Sequence, residues 1–251
     1  MDKYGSMTEL YADPGNVEGT TYGKRWHRNE WRQLLEEQTT DNPETQKIVM
    51  AIHGGGIEPG TSEIALAAAG YHPATLIPVD DGRGLHDLWL FEGLLSKRND
   101  DLHVAAINYN EPIATELVQN ARRCLSLHGC TDAKAKVSET HPLGIIQIGG
   151  LDFELRHIVM EELAAAGIPA EIATDEELKG EDPRNIGNKT QIGGCVQLEM
   201  GKSYRASLFE VNTRPRRKHT TNAQFWLLVR ALRQAMSRVG VDNIPAHPSC
   251  H

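Results

Sequence analysis

One stretch limits the fold more than any other. Lys47-Ile-Val-Met-Ala-Ile52 runs into His53-Gly-Gly-Gly-Ile-Glu-Pro-Gly60, and that into Thr61-Ser-Glu-Ile-Ala-Leu-Ala-Ala-Ala69. The first piece has the length and apolar continuity of a buried strand. The last is alanine-rich and predicts a helix, with Thr61 or Ser62 as its cap. Strand, glycine-rich loop and helix in that order point to a parallel α/β sheet.

Other apolar runs extend the pattern. Strands are expected at 88–91, 102–108, 125–128, 143–148, 168–173 and 195–200, and helices at 112–124, 152–166 and 221–238. Residues 1–46 are polar and turn-rich and read as an N-terminal arm wrapping the domain, with one short helix at 29–37. Residues 47–251 read as a single α/β domain, a central mixed, mostly parallel sheet flanked by helices. The charged, glycine-rich segment 174–194 is a loop of a length that is usually functional.

Composition removes several function classes. A net charge of −8 argues against general nucleic-acid binding, though not against an anionic ligand held by a local basic cluster. No apolar run reaches the roughly 20 residues that span a bilayer. Met1-Asp2-Lys3-Tyr4 does not begin a signal peptide, so synthesis in the cytoplasm is expected, with action outside the cell requiring release by lysis. The four cysteines show no C-x-x-C spacing and are expected as reduced, mostly buried thiols.

The densest chemistry lies in the glycine loop. His53 and Glu58 stand five positions apart, and the three glycines between them let the backbone fold back so that both side chains converge on one ion. A hydrolytic zinc site uses three protein ligands and one open position. His128, at the end of strand 125–128 and before Gly129, is the best-placed third ligand, because sites in open α/β sheets gather at the carboxyl ends of strands. His103 and His157 fall inside a strand and a helix, His141 in a loop, and His247 and His251 in the tail. His-Gly-Gly-Gly also occurs as an esterase oxyanion loop, but this chain has no G-x-S-x-G elbow. A phosphate-cradling loop would need the Gly-Lys-Ser/Thr ending, which is missing here.

Glu199, in the apolar strand Cys195-Val-Gln-Leu-Glu-Met200, is the candidate general base. Candidate substrate-holding groups are Arg122 and Arg123, read as the end of helix 112–124, and Asn185, Lys189 and Arg184 in the long loop. Arg214 to Lys218 reads as a solvated basic turn.

These residues resemble a known family. Ala51-Ile-His-Gly-Gly-Gly-Ile-Glu-Pro-Gly-Thr-Ser-Glu-Ile-Ala65 is similar to the signature of the phage-type poly-γ-glutamate hydrolases, and the likeness extends to Leu90-Phe-Glu-Gly93, Ser126-Leu-His-Gly129, Val196-Gln-Leu-Glu199 and the segment Tyr4 to Tyr22. The resemblance implies a zinc carboxypeptidase-like fold and cleavage of the γ-amide bonds of a polyanionic capsule polymer. It places one zinc ion on His53, Glu58 and His128 and the base on Glu199. It would put Asn-Arg where this chain has Asn188-Lys189, and Lys lacks the planar fork of Arg. A monomer is expected.

Two rival functions share these residues. One is a zinc deacylase or carboxypeptidase acting on small N-acyl amino acids or muropeptides. The other is a carboxylate- or glycan-binding domain without turnover, and retention of a base such as Glu199 argues against it.

Overall fold

The computed structural model describes residues 2–28 and 47–239. The helix expected at 29–37 lies outside them. The described residues form a sheet of seven strands: β1 (Tyr22–His27), β2 (Lys47–Gly55), β3 (Asp87–Gly93), β4 (Arg123–Cys130), β5 (Ile146–Gly149), β6 (Ala170–Ile172) and β7 (Val196–Gly201), in the order β1-β3-β2-β4-β7-β5-β6. Pairs β2/β3, β2/β4, β4/β7 and β5/β6 are parallel, and β1/β3 and β5/β7 antiparallel. The sheet is therefore mixed and mostly parallel, as its apolar runs predict.

All nine residues of β2 are buried, as expected of a central strand covered on both faces. Its side chains alternate between two cores. Val49 and Ala51 join α2 (Thr61–Ala68), α4 (Phe153–Ala165) and α7 (Ala223–Arg238) on one face. Ile48, Met50 and Ile52 join α1 (Met7–Ala12) and α3 (Pro112–Asn120) on the other. Helices thus cover both faces of the sheet. No described helix is long and apolar enough to cross a membrane.

The structure corrects several expectations. Residues 102–108 form no strand. Two 3₁₀ turns, Asn99–Leu102 and Ala106–Asn108, flank an extended piece that pairs with nothing in the sheet. Edge strand β1 comes from a polar segment in which no strand was expected. Helix α3 stops at Asn120, so Arg123 opens β4 instead of closing a helix. The cap of α2 is Gly60, in a left-handed conformation, and makes no side-chain cap bond. Nor is 214–218 wholly solvated. It contains the short helix α6 (Arg214–Arg217), in which Arg217 is buried, donating to Glu63 (3.1 Å) and to the Gly55 carbonyl (2.7 Å).

Candidate metal and hydrolytic site

Strands β2, β4 and β7 are parallel neighbours, so their carboxyl ends lie side by side, and they carry His53, His128 and Glu199. The loop after β2 closes on itself through a hydrogen bond from the Glu58 N–H to the His53 carbonyl (2.8 Å). The glycines are needed for this. A Cβ on Gly54 would collide with the Ser62 hydroxyl, and Gly55 has φ +67°. The closure sets His53 Nδ1 3.1 Å from Glu58 Oε1. His53 Nε2 meets the Val104 carbonyl at 2.9 Å, which orients the ring, and Glu58 Oε2 accepts from the Gly129 N–H at 2.8 Å.

Two further imidazoles approach. His103 Nδ1 hydrogen-bonds Asp2 (2.9 Å), whose second oxygen accepts from the Ala105 N–H (2.8 Å). His128 lies edge-on to His53, with ring centroids 5.1 Å apart and planes at 74°. Its Nε2 bonds the Ser126 hydroxyl at 2.8 Å, which leaves Nδ1 for other work. His53, Glu58 and His103 bring one potential ligand atom each to within 4.8 Å of one another, a group that could hold a metal ion. The structure thus joins His103 to the pair found in the sequence, and His128 is not part of that group.

The ring geometry weighs differently on the two. With a Zn–N bond of about 2.1 Å, two imidazoles on one tetrahedral ion have centroids roughly 5 Å apart. His53 and His128 match that spacing. His103 instead stacks face to face on His53, at 3.9 Å and 29°. That stacking distance is shorter than the roughly 5 Å expected for two imidazoles on one tetrahedral ion, which favours His128.

The buried charges are strongly interdependent. Burial opposes the protonated His53 ring, but the Glu58 carboxylate beside it raises its pKa overall. Glu58 is held below the usual carboxylate range against its own burial, chiefly by the His53 charge. Burial lowers His128 to about 3 and also lowers His103. Glu199 is pushed well up by burial and then by the Glu58 charge. It accepts from Gln197 Nε2 (2.9 Å), and the Gln197 carbonyl accepts in turn from Asn185 Nδ2 (2.9 Å).

A cavity of about 960 Å³ opens over these groups and is lined by His53, Glu58, His103, His128, Glu199 and Asn185. The basic residues expected to hold substrate are not among its lining. Arg122 is exposed beside Arg123, at the far end of β4 from His128. Arg123 is buried in an ion pair with Asp152 (2.6 Å) and a contact with Glu154. Lys189 closes the 3₁₀ turn Ile186–Lys189, and Arg184 is exposed and paired with Asp182 (2.7 Å). The cations that do line the cavity are Lys134, Lys202 and Arg205. None was found from the sequence. The available signal was position, because Lys202 and Arg205 belong to the short helix α5 (Lys202–Ser207) that follows the carboxyl end of β7.

The family model for poly-gamma-glutamate hydrolases matches residues 27–231. The UPF0714 protein YndL of Bacillus subtilis (strain 168) is 33% identical over 180 residues, covering 71% of this chain. The match spans only 62% of that relative's length. Among solved structures, a bacteriophage poly-gamma-glutamate hydrolase superposes with a TM-score of 0.74 at 28% identity, covering 94% of this chain and 96% of that one. The zinc-free apo form of YndL gives 0.74 at 28% identity, covering 95% and 98%.

Proposed function

This chain belongs to the poly-gamma-glutamate hydrolase family, and on that premise we propose that it hydrolyses the γ-glutamyl amide bonds of poly-γ-glutamate with one zinc ion and with Glu199 as general base. The observation that carries the reading is the His53–Glu58 contact. The His53 Nδ1 and a Glu58 carboxylate oxygen, two potential ligand atoms, meet at 3.1 Å in a buried site, and each residue is oriented from behind, by the Val104 carbonyl and the Gly129 N–H. Such outer partners are typical of metal ligands.

The donor set of two imidazoles and a carboxylate suits zinc. His53, Glu58 and His128 would hold it, with His128 preferred over His103 for its ring spacing. Zinc bound there supplies Lewis acidity at the scissile carbonyl and acidifies water. His128 and Glu199 are paired across the β4–β7 ladder, so the base stands beside the ligand cluster. The Gln197–Asn185 chain fixes the Glu199 carboxylate. Burial raises its affinity for a proton, which suits a group that takes one from the attacking water and returns it to the leaving nitrogen.

The test is viscometry of purified poly-γ-glutamate with the zinc-loaded protein. Internal cleavage lowers the viscosity, and chelation abolishes the effect. Intact polymer alongside cleavage of small N-acyl amino acids would replace this reading with the deacylase one.

A further inference from the structure

Arg205 is a cation in an unusual position. It is 5% exposed yet lines the cavity. Nε donates to the Met200 carbonyl (3.0 Å) and Nη1 to the Pro59 carbonyl (2.8 Å), so the guanidinium plane is fixed between the end of β7 and the loop carrying Glu58. The third nitrogen, Nη2, has no hydrogen-bond partner among the described residues. The group lies over Gly129, where a Cβ would collide with Cζ, Nε and Nη2. Gly129 is the same residue whose N–H holds Glu58, so the absence of its side chain serves both the carboxylate and the cation.

The surroundings give that free nitrogen a purpose. Glu176, Glu177, Glu181 and Asp182 also line the cavity, and each is already paired with a cation, Lys179, Lys134, Arg156 and Arg184 respectively, so this rim offers a polyanion no spare positive charge. Among the lining cations, Lys134 is committed to Asp175 (3.6 Å) and Glu177, and Lys202 is exposed. Arg205 is the cation that is both buried and incompletely paired. In a γ-linked glutamate chain, the carbon bonded to the scissile nitrogen carries a free α-carboxylate. An anion at that distance from the reacting bond needs a cation close to the ligand cluster, and Arg205 lies beside Glu58.

We infer that Arg205, through Nη2, receives the α-carboxylate on the leaving side of the scissile γ-amide and so makes the site specific for γ-glutamyl chains with free α-carboxylates. The assignment rests on the γ-glutamyl reading above. A charge-assisted hydrogen bond of this kind in a desolvated site corresponds to roughly 10- to 100-fold discrimination.

The experiment compares kcat/KM for two synthetic γ-glutamyl oligomers, one with free α-carboxylates and one with every α-carboxylate converted to the carboxamide. It uses the zinc-loaded wild type, Arg205→Gln and Arg205→Lys, with zinc content and thermal melting measured for each. The wild type is expected to favour the carboxylate oligomer by at least tenfold. Arg205→Gln should bring the ratio close to one, and Arg205→Lys should keep part of it, since the charge remains without the fork. If Arg205→Gln fails to fold because its two backbone braces are lost, Arg205→Lys reads the same ratio. A ratio unchanged in the folded variants overturns the assignment, even if turnover falls equally on both substrates. A wild type that cleaves both oligomers equally well also overturns it, and leaves the γ-glutamyl reading standing. A wild type that cleaves neither overturns both.

Discussion

Glu199 on β7 stands opposite His128 on the parallel neighbour β4, in a register that also pairs Ser126 with Gln197. Both strands send odd and even residues to opposite faces. Leu127 and Leu198 therefore enter the core shared with α4 and α7, while Ser126, His128, Gln197 and Glu199 form a polar row on the other face. That row runs from the sheet interior to the cavity. It predicts that Glu199→Gln keeps the fold and the zinc and loses hydrolysis by about 10²- to 10⁴-fold. Metal analysis with steady-state kinetics reads both. Hydrolysis within tenfold of wild type would remove Glu199 as the base.

The identity of the third ligand can be read from zinc stoichiometry. His53→Ala and His128→Ala are expected to purify with little zinc, and His103→Ala to retain it. His103→Ala losing zinc while His128→Ala keeps it would give the third position to His103, in line with its shorter approach to the His53–Glu58 pair.

Much of the site was legible because it sits on periodic strands. Alternation along 195–200 separates Glu199 from its apolar neighbours, and a histidine before a glycine marks the carboxyl-terminal part of β4, which runs two residues further, to Cys130. His103 was hidden by the same rule. Leu102 and Val104 are buried on alternate positions, which reads as a strand, yet alternation reports extended backbone and says nothing of a ladder partner. His103 is extended (φ −68°, ψ 132°) but unpaired, and the carboxylate that holds it, Asp2, is 101 residues away in sequence. β1 was missed for the opposite reason. As an edge strand it buries only Tyr22, and it is held partly by Arg25 bonding Glu92 across the ladder (2.6 Å). The partners of Arg205 and Arg217 could not be read from the sequence, because the Pro59 and Gly55 carbonyls and the Glu63 carboxylate are brought near only by the fold.

Arg123 gives a prediction about stability in place of catalysis. Its guanidinium is buried against Asp152, which also caps α4 by accepting from the Leu155 N–H (3.1 Å). Removing one partner of a buried pair leaves the other charge desolvated, at a cost of about 3–5 kcal/mol. Arg123→Ala should lower the urea midpoint by a corresponding amount, while kcat/KM per folded molecule stays near wild type. A specific loss of kcat/KM with stability intact would restore Arg123 as a substrate contact.

His86, just before β3, predicts how stability depends on pH. Both ring nitrogens are buried without a hydrogen-bond partner. Burial, reinforced by the charges of Lys47 and Arg233 and opposed by Asp81, lowers its pKa from 6.5 to about 3. Between those values the unfolded chain binds a proton that the folded chain does not. The stability is therefore fully present above pH 6.5 and is lost progressively as pH falls toward 3, on the order of a few kcal/mol in total. His86→Leu removes the titrating ring and two unsatisfied polar atoms at similar volume. Its melting temperature at pH 7 should equal or exceed wild type, and its decline between pH 6.5 and pH 4 should be shallower. Parallel melting curves for the two proteins across that range would show that His86 does not carry the acid sensitivity.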